Sequence, residues 1–316
     1  MMAQAYSGRA MALPPDTRVL PMSDEAIAEA ARLVVAGEPV AVATETVYGL
    51  AADATNAEAV ARIYAAKGRP SFNPLIVHVP NLAAAERIGE FNDEARALAG
   101  AHWPGPLTLV VPLLPDAPIA SLVTAGLPTI ALRVPAHPAM QALLKACGRP
   151  LAAPSANASG RISPTRSGHV LASLDGRIPL VIDGGATERG IESTIVAATG
   201  GALRLLRRGP IDIEAPETSD RIEAPGQLAS HYAPRKPLRL DVTEAQGGEY
   251  LIGFGAVEGD ASLSKSGNPI EAAAHLFDLL HQADAAPQPR IAVAPVPGDG
   301  IAAAIRDRLK RAAAPK

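Results

Sequence analysis

The sequence predicts an α/β chain in which helices flank a mixed sheet and a second, smaller β/α unit follows. Three observations support this. Short apolar runs at 39–43, 75–79 and 107–113 alternate with stretches of helical period. Those helical stretches carry their own start and stop signals. A Pro-rich segment at 209–237 interrupts the alternation, which resumes at 238. The chain has 316 residues, long enough for about two domains of ordinary size.

Each element follows in order. Residues 1–22 lack a basic start followed by an apolar core, so they do not read as a secretory signal. They are expected to be a disordered extension, with Met11 and Met22 as alternative starts. Ser23, followed by Asp24 and Glu25, opens a helix that stops at Gly37. A buried strand at 39–43 leads into a loop at 44–49. Asn56 caps a second helix that ends with Lys67 before Gly68. Lys67-Gly68-Arg69-Pro70 is therefore a helix-to-strand turn leading into strand 75–79. Helix 92–101, strands 107–113 and 129–134, helix 138–146 and strand 151–153 continue the pattern. Ser163 and Pro164 read as the cap and first position of a helix at 163–174. Strands 180–182, 193–197 and 203–207 close a first domain at 23–208.

Residues 209–237 read as a stiff linker, with Pro210, Pro216, Pro225, Pro234 and Pro237. It contains His231-Tyr232-Ala233-Pro234, an extended aromatic piece that can lie across a site. Residues 238–316 form the second domain, with strands 238–242, 250–254 and 290–294. Asn268 caps a helix with Ile270, Ala274, Phe277 and Leu280 on one face, and a basic helix occupies 300–312. This is a small Rossmann-like arrangement. Gly253-Phe254-Gly255 lacks the third glycine at the proper spacing, so it does not make a dinucleotide site.

Composition narrows the function. Hydrophobic residues are 48% and aromatics 3%, so the cores must be built mainly from Ala, Val, Ile and Leu. A net charge of −3 argues against a nucleic-acid coat protein. Residues 131–170 nonetheless contain no Asp or Glu and carry Arg133, Lys145, Arg149, Arg161 and Arg166. That stretch fits either a wall of an anion site or a solvated face. Cys147 is the single cysteine, which excludes an intramolecular disulfide and a Cys-rich zinc site. A reducing cytoplasm is the expected setting. No run comes near the roughly 18 apolar residues of a membrane helix.

Two segments carry the chemistry. Lys67-Gly68-Arg69-Pro70-Ser71-Phe72-Asn73-Pro74 puts two cations on a tight turn, with Pro70 holding Arg69 extended. Pro154-Ser155-Ala156-Asn157-Ala158-Ser159-Gly160 puts short hydrogen-bonding side chains on another. Arg offers a planar fork to phosphate oxygens and Lys a point charge. Surface charges at a helix end would give the same first pattern; the second segment tips the reading toward a phosphate ligand. A helix N-terminus at Ser163 would add free N–H groups to that ligand. The glycine-rich loop from Asp183 to Ile195 permits close backbone approach. No Gly-x-x-x-x-Gly-Lys-[Ser/Thr] run is present, which excludes a P-loop. Glu45, Asp53, Asp183, Glu188 and Glu192 are carboxylates that could help hold magnesium; none is assigned as a metal ligand.

Together with Ala43-Thr44-Glu45-Thr46-Val47-Tyr48-Gly49-Leu50, these segments resemble the YrdC/Sua5 family over about residues 23–311. That family makes threonylcarbamoyl-AMP for tRNA modification. The resemblance implies a YrdC-like twisted mixed sheet and a Sua5-type second domain. It implies a nucleotidyltransferase acting on L-threonine, bicarbonate or CO2, and ATP with Mg2+. By motif position, Thr46, His78, Arg133, the backbone at Ala153, and Ser193 would line the threonine side. Lys67, Arg69, Asn73, Thr129, Ser155, Asn157, Ser163 and Arg207 would serve ATP, with Tyr232 covering the site. Lys67 and Arg69 are the expected catalytic cations. Arg208 stands where the family usually has proline, so Arg207 and Arg208 are both candidates at that point. The linker would order on ATP binding as a lid. A tRNA-modifying threonylcarbamoyl transferase complex would be the downstream partner. Two other readings are weighed: a non-catalytic RNA-binding module, and a carbamoyl-transfer enzyme sharing the domain. The single cysteine argues against the latter, whose members carry zinc-finger-like cysteines.

Overall fold

A computed structural model of the chain describes residues 16–218, 223–227 and 230–315. Strand β1 (Arg18–Pro21) comes first, inside the segment expected to be a disordered extension. Its backbone pairs in parallel with a later strand, which orders it; residues 1–15 lie outside the described residues. Helix α1 (Asp24–Val35) starts where the Ser23 side chain accepts the Ala26 N–H, with Asp24 and Glu25 in its first turn. Strands β2 (Val40–Val42) and β3 (Gly49–Asp53) are buried throughout. β3 was not expected, because its small residues give little strand signal. Helix α2 (Ala57–Lys67) runs from the Asn56 cap to Gly68, whose left-handed conformation ends it.

The remaining elements of the first unit are β4 (Ile76–His78), α3 (Leu82–Ala85), α4 (Asp93–His102), β5 (Leu107–Pro112), α5 (Ser121–Thr124), β6 (Thr129–Arg133), α6 (Pro138–Cys147), β7 (Leu151–Ala152), α7 (Ser167–Leu174), β8 (Leu180–Asp183), β9 (Thr194–Ala197) and β10 (Arg204–Arg207). The second unit contains β11 (Leu238–Arg239), β12 (Glu249–Gly253), β13 (Ala261–Ser262), α8 (Pro269–Ala285), β14 (Arg290–Val293) and α9 (Ile301–Ala313).

Ten strands form the first sheet in the order β1-β8-β2-β3-β7-β4-β6-β5-β9-β10. It is mixed: β4 runs parallel to β6, while β7 is antiparallel to both β3 and β4. The β4–β6 register sets His78 opposite Arg133. One face packs Val60, Ile63, Leu75 and Leu109; the other packs Ile27, Val34, Leu143 and Leu144 of α1 and α6. Each such fully buried side chain contributes roughly 1.5–3 kcal/mol. The second sheet, β11-β14-β12-β13, is parallel throughout, as a Rossmann-like unit requires.

The helix expected from Ser163 starts at Ser167, and the Ser163 hydroxyl donates instead to Glu192. On α8 the buried stripe is Ala272, Ala273, Leu276, Phe277, Leu280 and Ala283; Ile270 is exposed. The stripe turns this way because α8 packs on the first unit as well as on its own sheet. Gly190 adopts a φ of +68°, and a Cβ there would come 2.3 Å from the Ala273 carbonyl oxygen. Val47, Ile162 and Ile191 of the first unit share one core with Tyr232, Phe277 and Leu280. Among the described residues, no helix is long and apolar enough to cross a membrane.

Candidate active site

The two segments singled out in the sequence meet through Lys67. Its ammonium donates to the carbonyl oxygens of Ser155, at 2.6 Å, and Asn157. Helix α2 therefore delivers its last side chain onto the second turn and fixes that turn's backbone. Lys67 is 2% exposed, and burial, followed by the charge of Arg69, pushes its pKa well below the ordinary lysine value. Arg69 folds back on its own turn, with Nε on the Asn73 carbonyl at 3.3 Å and Nη2 on that of Pro74 at 3.0 Å. Burial lowers it to about 10, so it stays charged at neutral pH.

A cleft opens where β4 and β6 end. Arg69, Arg133 and Arg207 all line it, together with Thr46, His78, Ala153, Ser155 and Tyr232. Three guanidinium groups against one lining carboxylate, Glu192, make it positive inside a chain of net charge −3. Low-dielectric walls focus such a field on an incoming anion. Arg133 bonds Glu45 at 2.6 Å, Thr46 at 3.0 Å and the Gly105 carbonyl at 3.3 Å. A guanidinium has five N–H donors. Those three bonds leave two of them for a ligand carboxylate. Burial alone would raise the Glu45 pKa, but the charge and hydrogen bond of Arg133 hold it below the usual carboxylate range.

His78 is neutral at physiological pH. Burial, then the charge of Arg133, lowers its pKa to about 3. Both its ring nitrogens are buried without a protein partner, as are Asn73 Oδ1, Asn157 Oδ1, Glu45 Oε2, His231 Nδ1 and the Tyr232 hydroxyl. Buried polar atoms without partners are costly, each about 1–3 kcal/mol. Of these, His78, His231 and Tyr232 line the cleft itself, so its wall holds polar atoms that a polar ligand can satisfy.

The sequence-expected residues fall into two groups. Thr46, His78, Arg133, Ala153, Ser155, Arg69, Arg207 and Tyr232 line the cleft. Lys67, Asn73, Asn157, Ser163, Ser193 and Thr129 do not. Ser193 sits behind Arg207, which donates from Nε to its carbonyl at 3.0 Å and from Nη2 to its hydroxyl at 3.1 Å. Thr129 is four residues from Arg133 on β6, roughly 13 Å along a strand. Of the neighbouring arginines, Arg207 lines the cleft and Arg208 pairs with Glu217 outside it. The acid-free stretch 131–170 is not a single wall. Only Arg133 of its arginines reaches the cleft, while Arg149 bonds Asp53 and Arg166 bonds Asp278.

The linker closes the cleft. Pro225, Gly226, His231 and Tyr232 form part of its lining and narrow it to about 50 Å³. Gly226 has a φ of +90°, and a Cβ there would lie 2.7 Å from the Tyr232 hydroxyl. His231 and Gly226 carried no assigned role in the sequence; the Pro225-Gly226 turn and the aromatic pair were the available signals. Glu192 was noted only as a carboxylate, with no sign of where it points.

The fold and the site define an α/β protein with a cation-lined small-molecule cleft under a linker. Comparison with known proteins then places it: the chain belongs to the Sua5/YciO/YrdC family. The family model described as "Telomere recombination" matches residues 32–209. A second, described as "Threonylcarbamoyl-AMP synthase, C-terminal domain", matches residues 187–314. The chain is similar to the threonylcarbamoyl-AMP synthase of Bacillus subtilis, at 40% identity over 94% of this chain and 95% of that one. The Pyrococcus abyssi threonylcarbamoyl-AMP synthase is 37% identical over 90% and 92% of the two chains. The crystal structure of P. abyssi Sua5 complexed with L-threonine superposes with a TM-score of 0.87 at 33% identity, covering 94% of this chain and 98% of that one. E. coli YciO shares the fold of the first unit, with a TM-score of 0.57 at 20% identity over 63% of this chain and 98% of its own.

Proposed function

We propose that this chain is an ATP-dependent threonylcarbamoyl-AMP synthase. The observation that carries the reading is the convergence of Arg69, Arg133 and Arg207 on one closed cleft, with two donors of Arg133 unspent. Arg133 takes the carboxylate of L-threonine. The threonine amine and bicarbonate or CO2 give a carbamate, with loss of water when bicarbonate is used. A carbamate oxygen attacks the α-phosphorus of ATP, the bond to the bridging oxygen of the β-phosphate breaks, and pyrophosphate leaves. Arg69 and Arg207 neutralise the phosphates, and Lys67 holds the Ser155–Asn157 turn that faces them. Such chemistry needs an aligned nucleophile and neutralised charge rather than covalent help. Burial raises the Cys147 thiol to about 11, which suits a structural residue and no covalent step.

Magnesium arrives with ATP as the substrate chelate. Among the described residues no three His, Cys, Asp or Glu side chains gather as a metal site, and Glu192 is already bonded to Ser163 and Arg308. Few protein ligands are the usual case for such an ion. Ligand clefts usually offer about 300 Å³ or more, so ATP entry requires the His231–Tyr232 linker to lift and re-close as a lid. Tyr232→Ala is expected to lower turnover and shorten the lifetime of the labile mixed anhydride. Unchanged turnover and lifetime would remove the lid. The product then passes to a cytoplasmic threonylcarbamoyl transferase complex acting on adenosine 37 of tRNA. Direct RNA contact finds no single basic face here, because Arg133, Arg149 and Arg166 each pair with a different carboxylate.

The test is pyrophosphate release by the full chain with ATP, magnesium and bicarbonate. Release should depend on both L-threonine and bicarbonate. A paired threonine hydroxyl should favour threonine over valine by about 10⁴, whereas serine, lacking one methyl, should trail by only about 10–200-fold. Equal use of valine would remove the hydroxyl contact. No threonine-dependent release from folded protein would overturn the function.

A further inference from the structure

A guanidinium from the second unit is buried at the back of the cleft. Arg308 of α9 is 0% exposed, the largest fully buried side chain among those described. Its Nε donates to Glu192 Oε2 at 3.0 Å, and its Nη1 to Asp307 at 3.0 Å. The other oxygen of Glu192 accepts the Ser163 hydroxyl. The guanidinium carbon also lies 5.5 Å from the centre of the Tyr232 ring, which packs as well against His231 at 4.0 Å and Phe277 at 5.6 Å. Tyr232 itself has a φ of 63°. A bulky residue there costs about 1–3 kcal/mol and persists only where its surroundings hold it. The neighbouring backbone supplies part of that hold, through His231 N–H to the Arg311 carbonyl and Ala233 N–H to the Gly160 carbonyl.

Glu192 is the puzzle this contact answers. It lines a cleft whose other charged lining groups are cations, and a bare carboxylate there would repel the phosphates of a nucleotide. We propose that Arg308 is a positioning residue for the adenylation reaction: it neutralises Glu192, fixes the Ser163 hydroxyl through it, and clamps the Tyr232 ring over the cleft. This rests on the reading of the protein as a threonylcarbamoyl-AMP synthase. Arg308 does not line the cleft; it acts through Glu192 and Tyr232. One side chain of the second unit thereby sets both the floor and the cover of a site built mainly by the first.

The test compares Arg308→Lys, Arg308→Met and the double substitution Arg308→Met with Glu192→Gln. Threonine-dependent pyrophosphate release gives kcat and KM for ATP, calorimetry gives Kd for L-threonine without nucleotide, and thermal unfolding reports the fold. Arg308→Lys keeps a charge but loses the fork, and kcat/KM for ATP should fall roughly 10- to 100-fold, the scale of a small misplacement in a site. Threonine Kd should stay within about threefold, since Arg133 is untouched. Arg308→Met should fall further, and Glu192→Gln added to it should restore at least part of kcat/KM for ATP by removing the exposed charge. A merely structural arginine would show neither the ATP-selective loss nor that rescue. Wild-type-like kcat/KM for ATP in Arg308→Lys would overturn the inference, and so would a double substitution no better than Arg308→Met. If Arg308→Met does not fold, Arg308→Lys decides. An inactive parent protein would instead count against the function itself.

Discussion

Arg69→Ala is expected to reduce kcat/KM for ATP in threonine-dependent pyrophosphate release by about 10²–10³-fold, the usual loss when a donor to developing charge is removed from a dry site. Arg69 qualifies because it lines the cleft, is 9% exposed and stays charged at neutral pH. Its turn is prearranged by the Asn73 and Pro74 carbonyls, so little side-chain freedom is lost when phosphate arrives. Arg69→Lys should recover only part of the loss, because a point charge cannot span two phosphate oxygens. Threonine affinity measured without ATP should change little in either variant. A loss of threonine binding as large as the loss of kcat/KM would move Arg69 from the phosphates to the amino acid.

Stability should collapse in mild acid. Burial lowers His78 and His281 to about 3 and His231 well below its ordinary value. An unfolded histidine titrates near 6.5. Between that value and about 3, the unfolded chain binds protons that the folded chain does not, so stability falls as pH falls. Each such histidine costs roughly 1.4 kcal/mol per pH unit in that window. His78 and His281 together would remove about 3 kcal/mol between pH 7.5 and 5.5, a large share of the 5–15 kcal/mol of a typical domain, and His231 acts in the same direction. The Glu45–Arg133 pair works in the same direction lower down, since a depressed carboxylate loses its contribution as pH falls through its folded pKa. Urea midpoints at the two pH values measure this. A flat profile would mean that these rings are protonated in the native state.

Much of the fold was legible where local signals and tertiary contacts agree. Asn56 and Gly68 punctuate α2 because the side-chain cap and the left-handed stop are local physics. Ser163 shows the opposite case. Ser163-Pro164 has the composition of a helix start, yet a carboxylate 29 residues away takes the hydroxyl, and the helix begins four residues later. Besides β3, β1 and β13 were missed, because β1 is held by pairing with β8 and β13 by pairing with β12, contacts that no local pattern contains. Within the cleft, the residue types were readable but their convergence was not. Lys67 meets carbonyls 88 and 90 residues away, a contact that no spacing rule contains. Arg308 did leave a trace. It falls four residues from Ala304 and from Ala312, so it lies on the buried stripe of α9 despite its charge.

The placement of β1 bears on where production of the protein should begin. β1 is the outermost strand of its sheet, and β8, the next one in, is the apolar run Leu180–Asp183. A polypeptide initiated at Met22 would lack β1 and leave one side of β8 with unsatisfied backbone donors and acceptors. Such an edge invites pairing with the same edge of another molecule. Truncation at Met22 would then act on solubility from the edge of the sheet, several strands from the β4 and β6 ends that open on the cleft.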